Sequence, residues 1–121
     1  MPNKQTLVIG ASENEERYSN MAIKLLTQNG HTVFGIGNRK GQVGNTVIET
    51  EKKEYTEIDT VTLYLNPKLQ EAYYDYILSL KPKRIIFNPG TENIILKNLA
   101  EAQGITTEDA CTLVLLRLGQ Y

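Results

Sequence analysis

Residues 6–10 read TLVIG, residues 11–19 read ASENEERYS, and residues 20–29 read NMAIKLLTQN. The apolar run Leu7-Val8-Ile9 ends at Gly10, a polar loop follows, and a helical pattern runs to a stop at Asn29-Gly30. Strand, loop and helix in that order make the first unit of a doubly wound α/β domain. Sheets of this kind take ligands at the carboxyl ends of their strands, near the point where strand order reverses. The loop over residues 10–19 belongs at that point. A helix opening near Ser19 aims its N–H groups and the positive end of its dipole into the loop, so an anionic phosphate is the favoured guest.

The rest of the chain repeats the alternation. Tyr18, Met21, Ile23, Leu25 and Leu26 recur at helical spacing and predict one apolar face. Residues 32–36 (TVFGI) read as a second strand, residues 37–44 (GNRKGQVG) as a glycine-rich loop, residues 46–48 as a short third strand, and residues 61–65 (VTLYL) as a fourth. Asn66-Pro67 pairs a capping side chain with a proline suited to the first helical position. The spacing predicts a helix over 67–80, burying Leu69, Ala72, Tyr73, Tyr76, Ile77 and Leu80. Residues 84–87 (RIIF) read as a fifth strand, followed by a helix over 92–103 with Ile95, Leu96, Leu99 and Ala102 inward. Residues 105–107 suggest a last short strand. Residues 112–118 (TLVLLRL) fit helix and strand equally. The fold class is therefore α/β: a mainly parallel five-stranded sheet of order 3-2-1-4-5 with helices on both faces.

Composition bounds the function. With 121 residues the chain makes one domain over 1–121, leaving no room for a second, catalytic one. A net charge of −1 argues against a nucleic-acid partner, which selects a basic excess. No apolar run approaches a membrane span, and MPNKQ at residues 1–5 carries no signal-like segment. With Cys111 as the one cysteine there is no internal disulfide, and the expected location is the cytoplasm.

Two loops carry candidate chemistry. Gly10-Ala11-Ser12 permits a tight strand exit and offers a hydroxyl, but Ser12 and Glu15 stand where a dinucleotide fingerprint has glycines. Arg17 supplies a guanidinium able to grip a phosphate with two bonds. After the second strand an NAD site presents an acid to the ribose. Here Asn38-Arg39-Lys40 presents cations, the sign that suits a phosphorylated ribose. Each loop alone also reads as a solvated surface turn; the fold brings both to one edge.

Gly10-Ala11-Ser12 with Arg17-Tyr18-Ser19, the Asn29-Gly30-His31 helix exit, the Asn38 turn and N-P-G-T-E-N at 88–93 run in one order over nearly the whole chain. That ordered set resembles the stand-alone CoA-binding domain proteins, small Rossmann-type domains similar to the nucleotide-binding domain of the succinyl-CoA synthetase α-subunit. The resemblance implies CoA, or an acyl-CoA, held by its 3′-phospho-ADP part. It puts Gly10, Ala11 and Ser12 near the pyrophosphate with Arg17 and Ser19 close by. Asn38 with Arg39 or Lys40 faces the 3′-phosphate ribose. Asn66 and Pro67 lie near the adenine, and Asn88, Pro89 and Gly90 complete the edge. The chain departs from the family pattern where Arg39 replaces a proline and Asn88 replaces a glutamine.

These features imply binding of a small nucleotide ligand without catalysis. His31 follows a helix cap and should lie at the amino edge, away from the ligand. Ser12 therefore has no histidine partner. Cys111 reads as a buried small residue, or as a thiol near the pantetheine end. Two alternatives remain at this stage: an NADP-dependent oxidoreductase using Arg39 and Lys40 for the 2′-phosphate, and a scaffold that kept the fold and lost the ligand.

Overall fold

A computed structural model of the chain describes residues 2–121. The strands are β1 (Thr6–Ile9), β2 (Val33–Ile36), β3 (Gly41–Val43), β4 (Thr46–Glu49), β5 (Thr60–Leu63), β6 (Arg84–Phe87) and β7 (Thr106–Asp109). The helices are α1 (Tyr18–Gln28), α2 (Pro67–Gln70), α3 (Tyr74–Leu80), α4 (Ile94–Ala102) and α5 (Thr112–Arg117). A 3-10 turn, Glu71–Tyr73, separates α2 from α3. The strands form one seven-stranded sheet of order β3-β4-β2-β1-β5-β6-β7.

The α/β, mainly parallel, Rossmann-like architecture stands, but the five-stranded order 3-2-1-4-5 is corrected to seven strands. Both additions lie at the rims. β3 pairs antiparallel with β4, Val43 facing Thr46, across a two-residue Gly44-Asn45 turn. Such a turn is a local hairpin signal lodged inside the stretch read as loop. β7 is the last short strand expected over 105–107, found at Thr106–Asp109 parallel to β6, and its TTED sequence has no apolar pattern because an edge strand is half solvated.

The strands β1, β5 and β6 are buried on both faces, which explains their unbroken apolar character. Alternate residues serve two cores. Leu7, Ile9, Leu63, Ile85 and Phe87 pack with Ile77, Leu96 and Ala100 on one side. Val8 and Ile86 pack with Ile23, Leu26 and Leu116 on the other. So α3 and α4 cover one face, and α1 and α5 the other.

Helix ends follow local chemistry. Gly30 N–H donates to Thr27 O and His31 N–H to Leu26 O, with Gly30 at φ 85°, a closed left-handed cap. The expected continuous helix over 67–80 is instead broken. A 3-10 turn advances faster around the axis than an α turn, so the apolar spacing loses register across it. Leu69 is consequently 53 % exposed while Ile77 is fully buried. Ile95 and Leu99, read as inward, face solvent, as do Tyr18 and Met21. The stretch 112–118 is helical over Thr112–Arg117, with Leu118 as the C-cap.

At the amino edge His31 is buried, and its Nδ1 accepts from Lys4 N–H at 2.9 Å. Burial, then the Lys4 and Arg84 charges, hold its pKa below the ordinary value, with Asp59 opposing. The unfolded chain therefore binds this proton more readily. Stability is whole above about pH 6.5 and falls as pH drops through the lower folded-state value. Urea midpoints between pH 8 and pH 5 should fall for the wild type and flatten for His31→Gln; parallel curves would remove His31 from the acid sensitivity.

Candidate functional site

At the carboxyl edge the exits of β1 and β2 touch. Gly10 N–H and Ala11 N–H both donate to Ile36 O, at 2.8 and 2.9 Å. Gly10 sits at φ 96°, and a Cβ there would press 3.0 Å from the Tyr64 carbonyl. A Cβ on Gly37 would collide with the Ala11 carbonyl oxygen. Only glycine lets these backbones approach this closely. The Glu13 carboxylate accepts from Gln42 N–H at 2.9 Å and ties the first loop to β3.

A cleft of about 700 Å³ opens over this junction. Seven expected residues line it: Gly10, Ala11, Ser12, Arg17, Asn38, Arg39 and Asn66. The N–H groups of Gly10 and Ala11 are engaged by Ile36, so their part is to shape the floor. The N–H groups of Ser12 and Glu13 donate to nothing among the described residues. The Ser12 hydroxyl accepts from Asn14 N–H at 3.0 Å, leaving its own proton free to donate. Arg17 and Arg39 make no ion pair among the described residues. Free amides and free guanidinium groups around one hollow suit a phosphorylated anion.

Six expected residues lie elsewhere. Ser19 is buried inside the first turn of α1. Lys40 is exposed just beyond the cleft, and Pro67 opens α2 facing outward. Gly90 N–H bonds the Glu92 carboxylate at 2.8 Å. Asn88 and Pro89 line a smaller neighbouring cavity. Asn88 is 2 % exposed, its Nδ2 donates to Thr62 Oγ1 and Leu63 O, and its Oδ1 accepts from Thr112 N–H. That side chain joins β5, β6 and the start of α5, and is committed to the fold.

The cleft also includes residues that sequence reading did not single out: Glu13, Asn14, Tyr64, Leu65 and Leu69. Tyr64 and Leu65 follow β5, so the rule about carboxyl ends applied to them as much as to Asn66. Leu69 was assigned to a buried face that the 3-10 turn abolishes. Asn66 caps α2 by accepting from Leu69 N–H at 3.0 Å and so sets this wall. Behind it, buried Gln70 donates to Leu65 O and Thr91 O, and accepts from Asn93 Nδ2. Tyr64 points its hydroxyl inward, and burial raises its pKa, partly offset by the Thr112 and Thr62 hydroxyls alongside.

A family model described as a CoA binding domain matches residues 4–117. The chain belongs to this family. A solved structure of an uncharacterised protein shares 44 % identity with this CoA-binding domain at TM-score 0.97, covering 100 % of both chains. A hypothetical protein from Pyrococcus horikoshii OT3 is similar at 24 % identity and TM-score 0.85, over 96 % of this chain and 84 % of that one. A Thermus thermophilus structure is similar at 15 % identity and TM-score 0.83, over 98 % and 91 %. The last two likenesses concern the fold alone. Curated proteins give no match.

No helix among the described residues is long and apolar enough to cross a membrane. Among them, no group of three His, Cys, Asp or Glu side chains is placed to hold a metal ion.

The two asparagines of the edge should separate on mutation. Asn88→Ala orphans buried groups and should cost about 2–3 kcal/mol in urea unfolding. Asn38→Ala, at an exposed position, should change stability by less than about 0.5 kcal/mol. Equal, small losses would show that Asn88 is not a structural link.

Proposed function

We propose that this domain binds CoA or an acyl-CoA through the 3′-phospho-ADP part and does no chemistry of its own. The observation that carries this is the cleft: Arg17 and Arg39, without an ion pair among the described residues, flank the Ser12 and Glu13 N–H groups, which donate to nothing among them. Membership of the CoA-binding domain family supports the ligand class. In this reading the pyrophosphate rests against Ser12, Glu13 N–H and Arg17. The phosphorylated ribose faces Asn38 and Arg39, on the β2 side. Adenine lies against Leu65, Asn66 and Leu69, where an exposed apolar side chain gives a flat base a surface. Lys40, outside the cleft, adds only a long-range charge. A nucleotide-binding role without a macromolecular partner also suits the net charge of −1.

The case for binding rather than catalysis is positional. His31 sits at the amino edge, across the sheet from the cleft, and Cys111 lies outside the cleft. Ser12 accordingly has no histidine beside it, and the neighbouring Glu13 carboxylate is engaged by Gln42 N–H, whereas nucleophilic catalysis by serine needs an activating base.

Isothermal titration with CoA, 3′-dephospho-CoA and NADP tests the assignment. CoA should bind more tightly than its dephospho form, and affinity should weaken with salt because CoA carries about four negative charges. Arg39→Glu should weaken CoA about tenfold more than dephospho-CoA, and Lys40→Glu should have a smaller effect. Equal losses for both ligands would remove Arg39 from the 3′-phosphate. NADP preference would favour an oxidoreductase, and no binding would favour a scaffold.

A further inference from the structure

Next to the cleft lies a second cavity of about 350 Å³, lined by Tyr18, Tyr64, Pro89, Cys111, Leu113 and Arg117 together with the engaged Asn88. Its walls come from the start of α1, the exits of β5 and β6, and both ends of α5. Aromatic, proline and leucine side chains dominate it, the lining expected of a site for an apolar group. The Asn88 side-chain amide is occupied by Thr62, Leu63 and Thr112, so it offers the space no free side-chain donor.

Two junctions place this cavity beside the cleft. Tyr64 lines both. Arg17 faces the cleft, and the next residue, Tyr18, faces the cavity. A ligand with its pyrophosphate at Ser12 and Arg17 therefore has its next segment at Tyr18 and Tyr64. In CoA that segment is the pantetheine arm, which leaves the pyrophosphate on the side away from the adenosine. Adenosine in turn occupies the side of Asn38, Arg39 and Leu69.

We propose that this second cavity receives the thioester end of a short-chain acyl-CoA. The inference rests on the CoA reading of the cleft and deepens it by naming the ligand class. The arm crosses Tyr64 and delivers the acyl group between Pro89, Leu113 and Cys111. With a free thiol the far end of the cavity, by Pro89, Leu113 and Cys111, stays unfilled, whereas a short acyl chain fills it and removes apolar surface from water. The domain thereby distinguishes acyl-CoA from CoA without reacting with either.

Cys111 is the one cysteine in the sequence and is half-buried, so its alkylation reports on this cavity at a single site. The experiment follows iodoacetamide labelling by intact mass, with saturation established separately by titration. The probes are adenosine 3′-phosphate 5′-diphosphate, which reaches only the cleft, and butyryl-CoA, which has no free thiol. Saturating butyryl-CoA should slow labelling about tenfold, and the nucleotide less than about twofold. Butyryl-CoA should also bind about threefold or more tighter than CoA. Binding of butyryl-CoA with Cys111 labelled as fast as in the nucleotide complex overturns the proposal, as do equal affinities for butyryl-CoA and CoA. Failure of the nucleotide itself to bind overturns the cleft reading, and this proposal falls with it.

Discussion

The carbonyl of Ile36 accepts two hydrogen bonds, from Gly10 N–H and Ala11 N–H, and so binds the exit of β1 to the exit of β2. Around that point the backbones of Ala11 and Gly37 lie too close for any side chain at residue 37. The first loop cannot continue straight upward from the sheet; it turns aside, and the cleft is the space left above the turn. The free N–H groups of Ser12 and Glu13 come after the bend, where no strand neighbour reaches them. A tightly satisfied floor and an unsatisfied rim are thus two results of one packing constraint. Donors already in place and unsatisfied make such a rim suited to an anion.

Polar side chains hold the far wall. Gln70 is fully buried and bonds Leu65 O, Thr91 O and Asn93 Nδ2. Asn93 in turn accepts from Ile95 N–H and Leu96 N–H and caps α4. Asn88 performs the same service for α5, whose own cap residue, Cys111, makes no side-chain capping bond. Buried amides of this kind destabilise strongly when a partner is lost, because the orphaned group cannot return to water. The stretch N-P-G-T-E-N is therefore chiefly structural. It turns the chain from β6 and fastens two helices, and it lies outside the cleft.

Much of the fold was legible because local rules coincided with burial. The apolar runs at β1, β2, β5 and β6 mark strands covered on both faces. Asn66-Pro67 and Asn29-Gly30 mark helix ends by requirements that act within a few residues. The rims were less legible. β7 reads TTED, since one side of an edge strand meets solvent, and β3 carries three residues inside a glycine-rich stretch. The helix over 67–80 looked continuous because its spacing does not disclose a 3-10 turn. For the candidate site, charge sign and strand order pointed to the cations Arg17 and Arg39, and both line the cleft. Asn88 and Ser19 were placed at the ligand edge from the resemblance, and the structure buries both.

The sequence by itself determined the alternation of strand and helix, the crossover from β1 toward β5, and the pair of loops that carries the positive charge. These depend on period, on backbone preference and on turn chemistry, all of which act over short distances. Tertiary structure alone decided which side chains meet. It set Tyr64 between two hollows, engaged Asn88 across three elements and put Leu69 on a cleft wall. It also settled Thr112–Arg117 as a helix, with a distant asparagine satisfying its first N–H. Contacts of this sort join residues far apart in the chain, and their geometry depends on how the helices lie on the sheet. A residue's own neighbours in sequence carry no record of that placement.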